Sequence, residues 1–430
     1  MKVPAVKGTR DFYPEAMAVR NRIIDGWKLV SIRNGFEEYD GPIFERLDMF
    51  TKKSGQEIVE QLFSFSDRGD RELAIRPEIT PTLARMVNQQ IRSLPLPIKW
   101  FSVPRLCRAE RPQKGRLREF FQWNIDIIGI DDVLADAEVI FTTLDYLQEA
   151  GLTGKDIKVR ISSRKLLAAF LKSLDIAQEK FESIYAVLDK KARVPDDAFE
   201  QMLREQIGDK DKMTKVLDFM SVASIPELES FIKLPDDEFV AYTEMQNVFN
   251  YLSFMGVDDF CEYDPSIVRG LAYYTGVVFE VHAVGSQLRA ICGGGRYDNL
   301  LRDFGGPAIP ATGMGMGDCV LEILLKEKGL LDKNITKNEL EYFVAWADKT
   351  FASAVYRIAA ELRRKGFSAN FSYKPLDGLS KQLKEASAQK AKKCIIIGAE
   401  YSQGQLVVKD MQTGSQELVM VDRFLTQPKS

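Results

Sequence analysis

The sequence contains very little histidine, and its cysteines are scattered. A single histidine, His282, stands among 430 residues, so a histidine-rich zinc site is excluded, and the apolar surroundings of His282 nearly exclude a histidine-based triad. His282 lies in the apolar run VVFEVHAV, so we expect ordinary packing for it. The five cysteines include no CxxC pair and are odd in number, so we expect reduced, structural thiols.

Long hydrophobic runs are also absent. No stretch of ~18 uncharged apolar residues occurs, and the N-terminal MKVPAVKGTRDFYPE lacks the apolar centre of a signal peptide. We therefore expect a cytoplasmic protein with neither a membrane span nor a secretion signal. At 430 residues, of which 45% are hydrophobic, the chain is too long for one ordinary domain, and two or three are expected.

The net charge of -3 conceals an uneven distribution. Residues 338–430 carry 14 Lys and Arg against 10 Asp and Glu, which leaves the remainder of the chain at -7. A lysine-rich helix in this part, with Lys381, Lys384, Lys390, Lys392 and Lys393, fits a surface that meets nucleic acid phosphates. A helix that is simply solvated would look the same, and both interpretations stay open.

The densest cluster of positive charge lies in the segment 105–129, between two strand-like runs. Six Lys or Arg residues stand from Arg105 to Arg118 against a single acid, Glu110. Arginine binds phosphate oxygens in pairs through its planar fork, so this hairpin is a candidate site for a polyanion. The alternative is a solvated hairpin whose charges keep the chain soluble.

The second strand of this hairpin carries an ordered polar face. Side chains alternate along a strand, so one face is predicted to be core and the other a polar floor. Phe120, Gln122, Asn124 and Asp126 share one side of the strand, and the last three make it polar. This ordering favours a ligand site over a solubilising hairpin.

The run RAERPQKGRLREFFQ resembles motif 2 of the class II aminoacyl-tRNA synthetases, in the form found in histidyl-tRNA synthetases. The segment 35–50, predicted to be extended around Pro42, resembles motif 1, the dimer-forming element of that family. PSIVRGLAYYTGVVFEVHA resembles its histidine-specific signature. The resemblance spans nearly the whole chain.

The segment RPEIT places Glu78, Ile79 and Thr80 where a strand gives way to a helix that begins near Pro81. A carboxylate and a hydroxyl at such a junction suit a helix cap. By resemblance, the same segment contacts the amino acid substrate. Spacing alone leaves both interpretations open.

The signature RGLAYY contains Arg269, to which we assign the chemistry. A fixed guanidinium beside the α-phosphate of ATP would stabilise charge that develops during attack at phosphorus; a surface ion pair is the alternative. Tyr273 and Tyr274 would face opposite ways on a strand, so at most one is expected to point fully into a pocket. The following CGGGRYD allows close approach to the backbone and contains Tyr297.

Two positions depart from the family pattern. Ala272 stands where the signature commonly has Asp, and Val320 stands where motif 3 usually has an Arg that binds ATP phosphate. Loss of that guanidinium would weaken ATP binding unless another cation compensates.

Hydrophobic spacing predicts helices over 16–33 and 131–150 and a strand over 157–163. From 176 to 248 the short, charged segments predict a helical module. After residue 340, strand and helix patterns alternate, which predicts a separate α/β domain.

The resemblance implies an α/β (α+β) fold with three parts. These are a class II synthetase catalytic core built on an antiparallel sheet with helices, a helical insertion, and a C-terminal mixed-sheet α/β anticodon-binding domain. The implied boundaries are 1–330, interrupted by 176–248, and then 338–430, with a linker over 326–340.

The resemblance implies an enzyme that activates histidine with ATP and transfers it to tRNA(His). ATP enters with Mg2+ as a substrate complex, with no prosthetic group, no dedicated protein metal site and no membrane partner, and a homodimer is expected. Arg108 and Arg269 are the implied catalytic residues. The implied histidine-binding residues are Glu78, Ile79, Thr80, Arg108, Gln122, Asp126, Arg269, Tyr273, Tyr274 and Tyr297, and the implied ATP-binding residues are Arg108, Glu110, Arg116 and Phe120.

Two alternatives remain. A non-catalytic paralogue that activates a partner enzyme of histidine biosynthesis would explain Ala272 and Val320, but the C-terminal domain and the intact Arg108 and Arg269 disfavour it. A synthetase for another amino acid would be distinguished by an apolar rather than a polar pocket.

Overall fold

The chain divides into two compact units, residues 1–332 and 333–430. The computed structural model describes residues 3–51, 59–191, 194–232, 236–269, 273–331, 340–374 and 378–426. Ala272 and most of the predicted linker lie outside the described residues.

A nine-stranded sheet forms the centre of the first unit within the described residues. The outermost pair of strands at each end of the sheet is parallel and the other pairs are antiparallel, which agrees with the predicted catalytic core. The strands in spatial order are β1 (Glu37–Glu38), β5 (Ile98–Ser102), β7 (Glu119–Ile128), β12 (Ala311–Gly317), β11 (Cys292–Arg296), β10 (Val277–Ala283), β8 (Ile157–Ser163) and β9 (Cys261–Tyr263), with β6 (Arg105–Cys107) also paired to β7.

The helices of this unit pack on the sheet and on one another. The described α-helices are α1 (Pro14–Arg33), α2 (Leu47–Thr51), α3 (Thr80–Gln90), α4 (Leu134–Glu149), α5 (Arg164–Ser173), α6 (Phe181–Leu188), α7 (Asp196–Ile207), α8 (Lys210–Phe219), α9 (Ile225–Phe231), α10 (Asp236–Phe254), α11 (Leu300–Asp303) and α12 (Asp318–Glu327).

The elements predicted from hydrophobic spacing are confirmed as α1, α4 and β8. Helix α1 ends where predicted, because Gly35 follows with a φ of 78°, a left-handed conformation that glycine adopts without strain. Helix α4 begins at Leu134, later than predicted. The carboxylate of Asp132 accepts a hydrogen bond from the Leu134 backbone N–H at 2.7 Å and so marks this start.

Packing of α1 against β7 decides which face of that strand is free. Trp123 is fully buried, its ring stacks on Trp27 with centroids 6.2 Å apart, and its indole N–H donates to Ser31 Oγ at 2.8 Å. Because side chains alternate along a strand, this anchoring turns Gln122 and Asp126 to the other side of the sheet. The two predicted faces of the hairpin strand are therefore confirmed.

The segment 35–50 is extended only in part. After β1 it forms β2 (Phe44–Arg46), which joins β4 (Glu72–Ile75) and β3 (Phe63–Ser66) in a small antiparallel sheet. The prediction of an extended run through Phe50 is wrong at its end. The chain turns helical at α2, because this lets Phe50 bury its ring completely.

The segment 176–248 is helical, without a strand in its described residues. Its last helix, α10, continues to residue 254, beyond the predicted boundary. These helices share one hydrophobic core with the central sheet: the rings of Phe170 on α5 and Phe219 on α8 stack with centroids 4.4 Å apart. The helical segment is thus packed against the elements that carry the site.

The second unit contains a mixed sheet flanked by helices, as predicted. The strands in spatial order are β14 (Ala369–Phe371), β13 (Tyr342–Trp346), β15 (Lys393–Ile397), β16 (Gln405–Asp410) and β17 (Gln416–Met420), and the described helices are α13 (Ala352–Arg364), α14 (Leu379–Ala388) and α15 (Val421–Thr426). The placement of five lysines on one helix is wrong. Helix α14 carries Lys381 and Lys384, and Lys390 stands after its end with a φ of 54°.

Candidate active site

A cavity of about 820 Å3 opens on the polar face of β7. Strands β11 and β12, the β6–β7 loop and the segment before β10 also border it. It brings together all but one of the residues predicted for the site, namely Glu78, Thr80, Arg108, Glu110, Arg116, Phe120, Gln122, Asp126, Arg269, Tyr273, Tyr274 and Tyr297. The remaining one, Ile79, is fully buried in the core with Leu83 and does not line the cavity.

Glycines of β12 line this cavity beside the polar face of β7. Gly313 stands opposite Asp126 in the sheet, and Gly315 stands opposite Asn124. A β-carbon at Gly313 would lie 2.1 Å from Asp126 Oδ1, and one at Gly315 would lie 2.8 Å from Gln122 Nε2. Glycine is required at both positions because any side chain would displace these polar groups.

Arg269 is fixed at the wall of the cavity. Its Nη1 donates to Glu280 Oε1 at 3.0 Å, and its guanidinium carbon lies 5.6 Å from the centre of the Tyr274 ring. The backbone of Arg269 has a φ of 59°, which a non-glycine residue keeps only when its surroundings hold it. A β-carbon at Gly293 would lie 1.7 Å from Arg269 Nη1, so this glycine provides the space. Arg269 therefore forms an ion pair, as the alternative predicts, but this pair with Glu280 lines the cavity instead of lying on the outer surface.

Two tyrosines form hydrogen bonds with carboxylates in another part of the cavity. The Tyr273 hydroxyl donates to Glu78 Oε2 at 3.3 Å, and the Tyr297 hydroxyl donates to Asp126 Oδ1. The prediction that Tyr273 and Tyr274 face opposite ways is wrong, since both line the cavity with ring centres 5.0 Å apart. They precede β10 rather than lying in it, so strand alternation does not apply to them.

Asp126 combines burial with an unsatisfied acceptor. The residue is 3% exposed, and burial raises the pKa of its carboxyl to about 7, although the hydrogen bond from Tyr297 acts in the opposite direction. Its Oδ2 has no hydrogen-bond partner within the described residues. A buried acceptor without a donor is unfavourable, so this atom suits an N–H group of a ligand.

The β6–β7 hairpin contributes the cationic part of the cavity. Arg108 Nε donates to the Pro77 carbonyl at 3.0 Å, and its guanidinium carbon lies 5.4 Å from the centre of the Phe120 ring. Arg116 forms an ion pair with Glu110. An aromatic ring beside two held guanidinium groups suits a planar base attached to phosphates.

Val320 occupies the first turn of α12 and lines the cavity beneath the hairpin loop. A β-carbon at Gly115 would lie 3.0 Å from Val320 Cγ2, so the two residues pack closely. Val320, which stands at the motif 3 position where an arginine is common, therefore makes an apolar contact with the β6–β7 loop. Other cations that line the cavity are Arg160, Lys191 and Arg289.

Two residues of β10 were missed or misjudged from the sequence. His282 Nε2 lies 3.0 Å from Glu280 Oε2, and both side chains line the cavity, so the expectation of ordinary packing for His282 is wrong. Strand alternation in VVFEVHA places the two residues on one face, a signal that was available. The cavity contacts of Leu188 and Met220 in the helical segment depend on tertiary packing and carry no local signal.

The described residues contain no group of three or more His, Cys, Asp or Glu side chains placed to hold a metal ion. All five cysteines are free thiols, as expected, and burial raises the pKa of Cys261 and Cys394 to about 12. None of the helices in the described part of the chain has the length and apolarity needed to cross a membrane.

Two family models match the chain: "Histidyl-tRNA synthetase" over residues 8–317 and "Anticodon binding domain" over residues 335–428. The chloroplastic/mitochondrial histidine–tRNA ligase of Arabidopsis thaliana is 39% identical, covering 95% of this chain and 83% of the relative. The histidine–tRNA ligase of Opitutus terrae is 37% identical, covering 95% and 94%. The crystal structure of histidyl-tRNA synthetase from Nostoc sp. PCC 7120 has the same fold, with a TM-score of 0.81 over 100% of both chains at 23% identity.

A sheet-based unit that carries such a cavity, followed by an anticodon-binding unit, is the organisation of an aminoacyl-tRNA synthetase. The match over residues 8–317 covers more than half of the chain, and the two relatives cover nearly all of it. The chain belongs to the histidyl-tRNA synthetase family.

Proposed function

We propose that the chain is an ATP-dependent histidine–tRNA ligase. The histidine carboxylate attacks the α-phosphate of ATP, giving histidyl-adenylate and releasing pyrophosphate. The 3′-terminal adenosine of tRNA(His) then takes the histidyl group through a ribose hydroxyl, and AMP leaves. One observation carries the proposal: a single cavity gathers Arg108 and Arg269 with the carboxylates of Glu78 and Asp126.

In the ATP site, Arg108 and Arg269 hold the α-phosphate. Glu110 and Arg116 fix the bent triphosphate together with Mg2+, which enters as part of the substrate complex. Phe120 stacks under the adenine, and the Arg108 guanidinium lies near the same ring, with its carbon 5.4 Å from the ring centre. Positioning and preorganised charge, rather than a protein nucleophile, carry out the chemistry, and the proposal requires no prosthetic group.

Phe120→Ala should raise the KM for ATP about 10-fold, because stacking of a base on an aromatic ring contributes ~1–3 kcal/mol. Phe120→Tyr keeps the ring and serves as the matched control, with a KM close to that of the wild type. Both values are measured by pyrophosphate exchange at saturating histidine. An unchanged KM in Phe120→Ala would show that the adenine binds elsewhere.

In the histidine site, we assign the imidazole to Asp126, since its Oδ2 is the buried acceptor without a donor. Glu78 then takes the ammonium group of the substrate. The remaining polar groups of the pocket are Thr80, Gln122, Tyr273, Tyr274 and Tyr297. A ligand that lacks the ring donors leaves buried groups unpaired, at a cost of ~1–3 kcal/mol per group, which is the basis of selectivity.

Gly313→Ala should weaken histidine binding about 10-fold or more, because the new methyl group would displace the Asp126 carboxylate from 2.1 Å away. The affinity is measured by calorimetric titration of the purified protein. Gly378→Ala is the control, since no atom lies within 4 Å of the added methyl group there. Wild-type affinity in Gly313→Ala would contradict the assignment of Asp126 to the histidine pocket.

Residues 338–430 bind the anticodon stem in this proposal, and the insertion at 176–248 approaches the acceptor stem. The match to an anticodon-binding model and the local excess of positive charge support the first role. The protein acts as a homodimer through the segment 35–50, where Ile43 and Phe44 are 60% and 54% exposed. Its free thiols favour a reducing compartment, the cytoplasm.

The two alternatives are less well supported. A regulatory subunit of histidine biosynthesis does not need an anticodon-binding domain, and the two curated relatives carry ligase names. A synthetase for another amino acid is disfavoured because the pocket around Asp126 is polar.

Charging of purified tRNA with labelled histidine tests the proposal. We expect acylation of tRNA(His) and not of a tRNA for another amino acid. Histidine binding without adenylate formation or acylation would favour the regulatory subunit. Acylation with a different amino acid would overturn the proposal.

A further inference from the structure

Arg164 is a buried guanidinium that the proposed mechanism leaves without a role. It follows β8 and opens α5, and it is 5% exposed. Burial lowers its pKa. Within the part of the chain that the structure describes, its guanidinium donates only to backbone carbonyls. Burial of a guanidinium costs desolvation free energy, which hydrogen bonds to carbonyls offset in part.

The three carbonyls belong to the segment that carries the catalytic arginine. Arg164 Nε donates to Val268 O at 2.9 Å, Nη1 donates to Tyr274 O at 3.2 Å, and Nη2 donates to Arg269 O at 2.5 Å. One planar group therefore fixes the backbone on both sides of the signature. It also supports Arg269 in its left-handed conformation, with a φ of 59°.

The same guanidinium contacts the helical insertion. Its carbon lies 5.2 Å from the centre of the Tyr185 ring, a cation–π distance, and Tyr185 lies on α6 with 6% of its surface exposed. Arg164 thus touches the insertion on one side and the backbone of Arg269 and Tyr274 on the other.

We propose that Arg164 is a positioning residue for histidine activation, which holds Arg269 against the α-phosphate and couples its position to helix α6 of the insertion. The inference rests on the proposed function, because it assigns Arg269 to that phosphate. Lysine cannot replace the planar fork, since a single ammonium does not reach three carbonyls in this arrangement.

The test compares Arg164→Met and Arg164→Lys in single-turnover formation of histidyl-adenylate. A misplacement of about 1 Å costs about 100-fold in rate, so we expect this loss for the Met variant, with a smaller one for Lys and KM values that change much less. Lys165→Met is the matched control, because Lys165 also contacts the insertion, through an ion pair with Glu244 at 2.5 Å. The control should keep the wild-type rate.

Two further variants separate positioning from stability. In an Arg269→Ala background, Arg164→Met should cause little additional loss, because its effect passes through Arg269. Tyr185→Leu removes the ring beneath Arg164 and should slow adenylate formation, whereas Tyr185→Phe should not. Independent, multiplicative losses in the double variant, or a wild-type rate in Tyr185→Leu, would overturn the inference.

The outcomes also distinguish this inference from the proposed function. If the wild-type protein forms no adenylate with histidine, the proposed function itself is wrong. If the wild-type protein forms histidyl-adenylate and the Arg164→Met variant forms it at the same rate, only the positioning role of Arg164 is overturned. If Arg164→Met does not fold, the Tyr185 pair still decides the question.

Discussion

Arg269→Ala is expected to lower histidine-dependent pyrophosphate exchange about 1,000-fold. Removal of one preorganised donor from a developing negative charge typically costs 100- to 1,000-fold, or ~2.7–4 kcal/mol. Glu280 and Tyr274 hold this guanidinium and Arg164 holds the backbone carbonyl of Arg269 before substrate arrives, so little reorganisation accompanies the reaction. The upper end of that range is therefore the expected effect.

A surface arginine provides the control for this experiment. Arg33 pairs with Asp145 at 2.7 Å on the face formed by α1 and α4, and Arg33→Ala should leave exchange unchanged. The measurement is the initial rate of pyrophosphate incorporation into ATP at saturating substrates. An Arg269→Ala variant that keeps a tenth of the wild-type rate or more would remove the arginine from the chemical step.

Asp126→Asn should make the ligand-free protein more stable at pH 8. The carboxyl of Asp126 has a pKa of about 7 in the folded protein, against ~3.9 in an unfolded chain. The proton is thus held more tightly in the folded state, so stability present below pH ~4 is lost as the pH rises to about 7. Asparagine carries no charge, and we expect a gain of up to ~4 kcal/mol at pH 8 and little difference near pH 4.

The same substitution should weaken histidine binding about 10- to 100-fold, because a hydrogen bond to a charged group contributes ~1.5–3 kcal/mol. Wild-type affinity should fall as the pH drops through 7, when the carboxylate takes up a proton. The imidazole of the ligand titrates in the same way with both proteins, so the difference between them isolates Asp126. Thermal unfolding at pH 4 and pH 8 measures the effect on stability, and calorimetric titration at pH 6 and pH 8 measures the effect on histidine binding. Equal affinities at pH 8 would contradict the role of Asp126.

The two faces of the hairpin strand could be predicted from the sequence because they depend on strand periodicity alone. Trp123 is in the core and Asp126 is in the cavity, as alternation requires. The other cavity residues were found through their family motifs rather than through spacing. The structure then added the reason for the glycines, since the space that Gly313 leaves for Asp126 is defined only once β12 pairs with β7.

The errors arise where the chain leaves regular structure or depends on distant contacts. The sequence pattern predicts that Tyr273 and Tyr274 lie in a strand, whereas β10 begins only at Val277. Arg164 bonds to a carbonyl 104 residues away, and no local pattern indicates such a partner. The apolar neighbours of His282 in sequence predict ordinary packing, whereas its ring lies 3.0 Å from the Glu280 carboxylate on the same strand face.

Pyrophosphate exchange with each amino acid in turn tests the central claim most directly. Purified protein is incubated with ATP, Mg2+ and labelled pyrophosphate, with one amino acid in each reaction. We predict exchange with histidine and with no other amino acid, even though Val320 stands where the family commonly has an arginine. Absence of exchange with histidine, in a protein that still binds it, would contradict the assignment of this cavity to histidine activation.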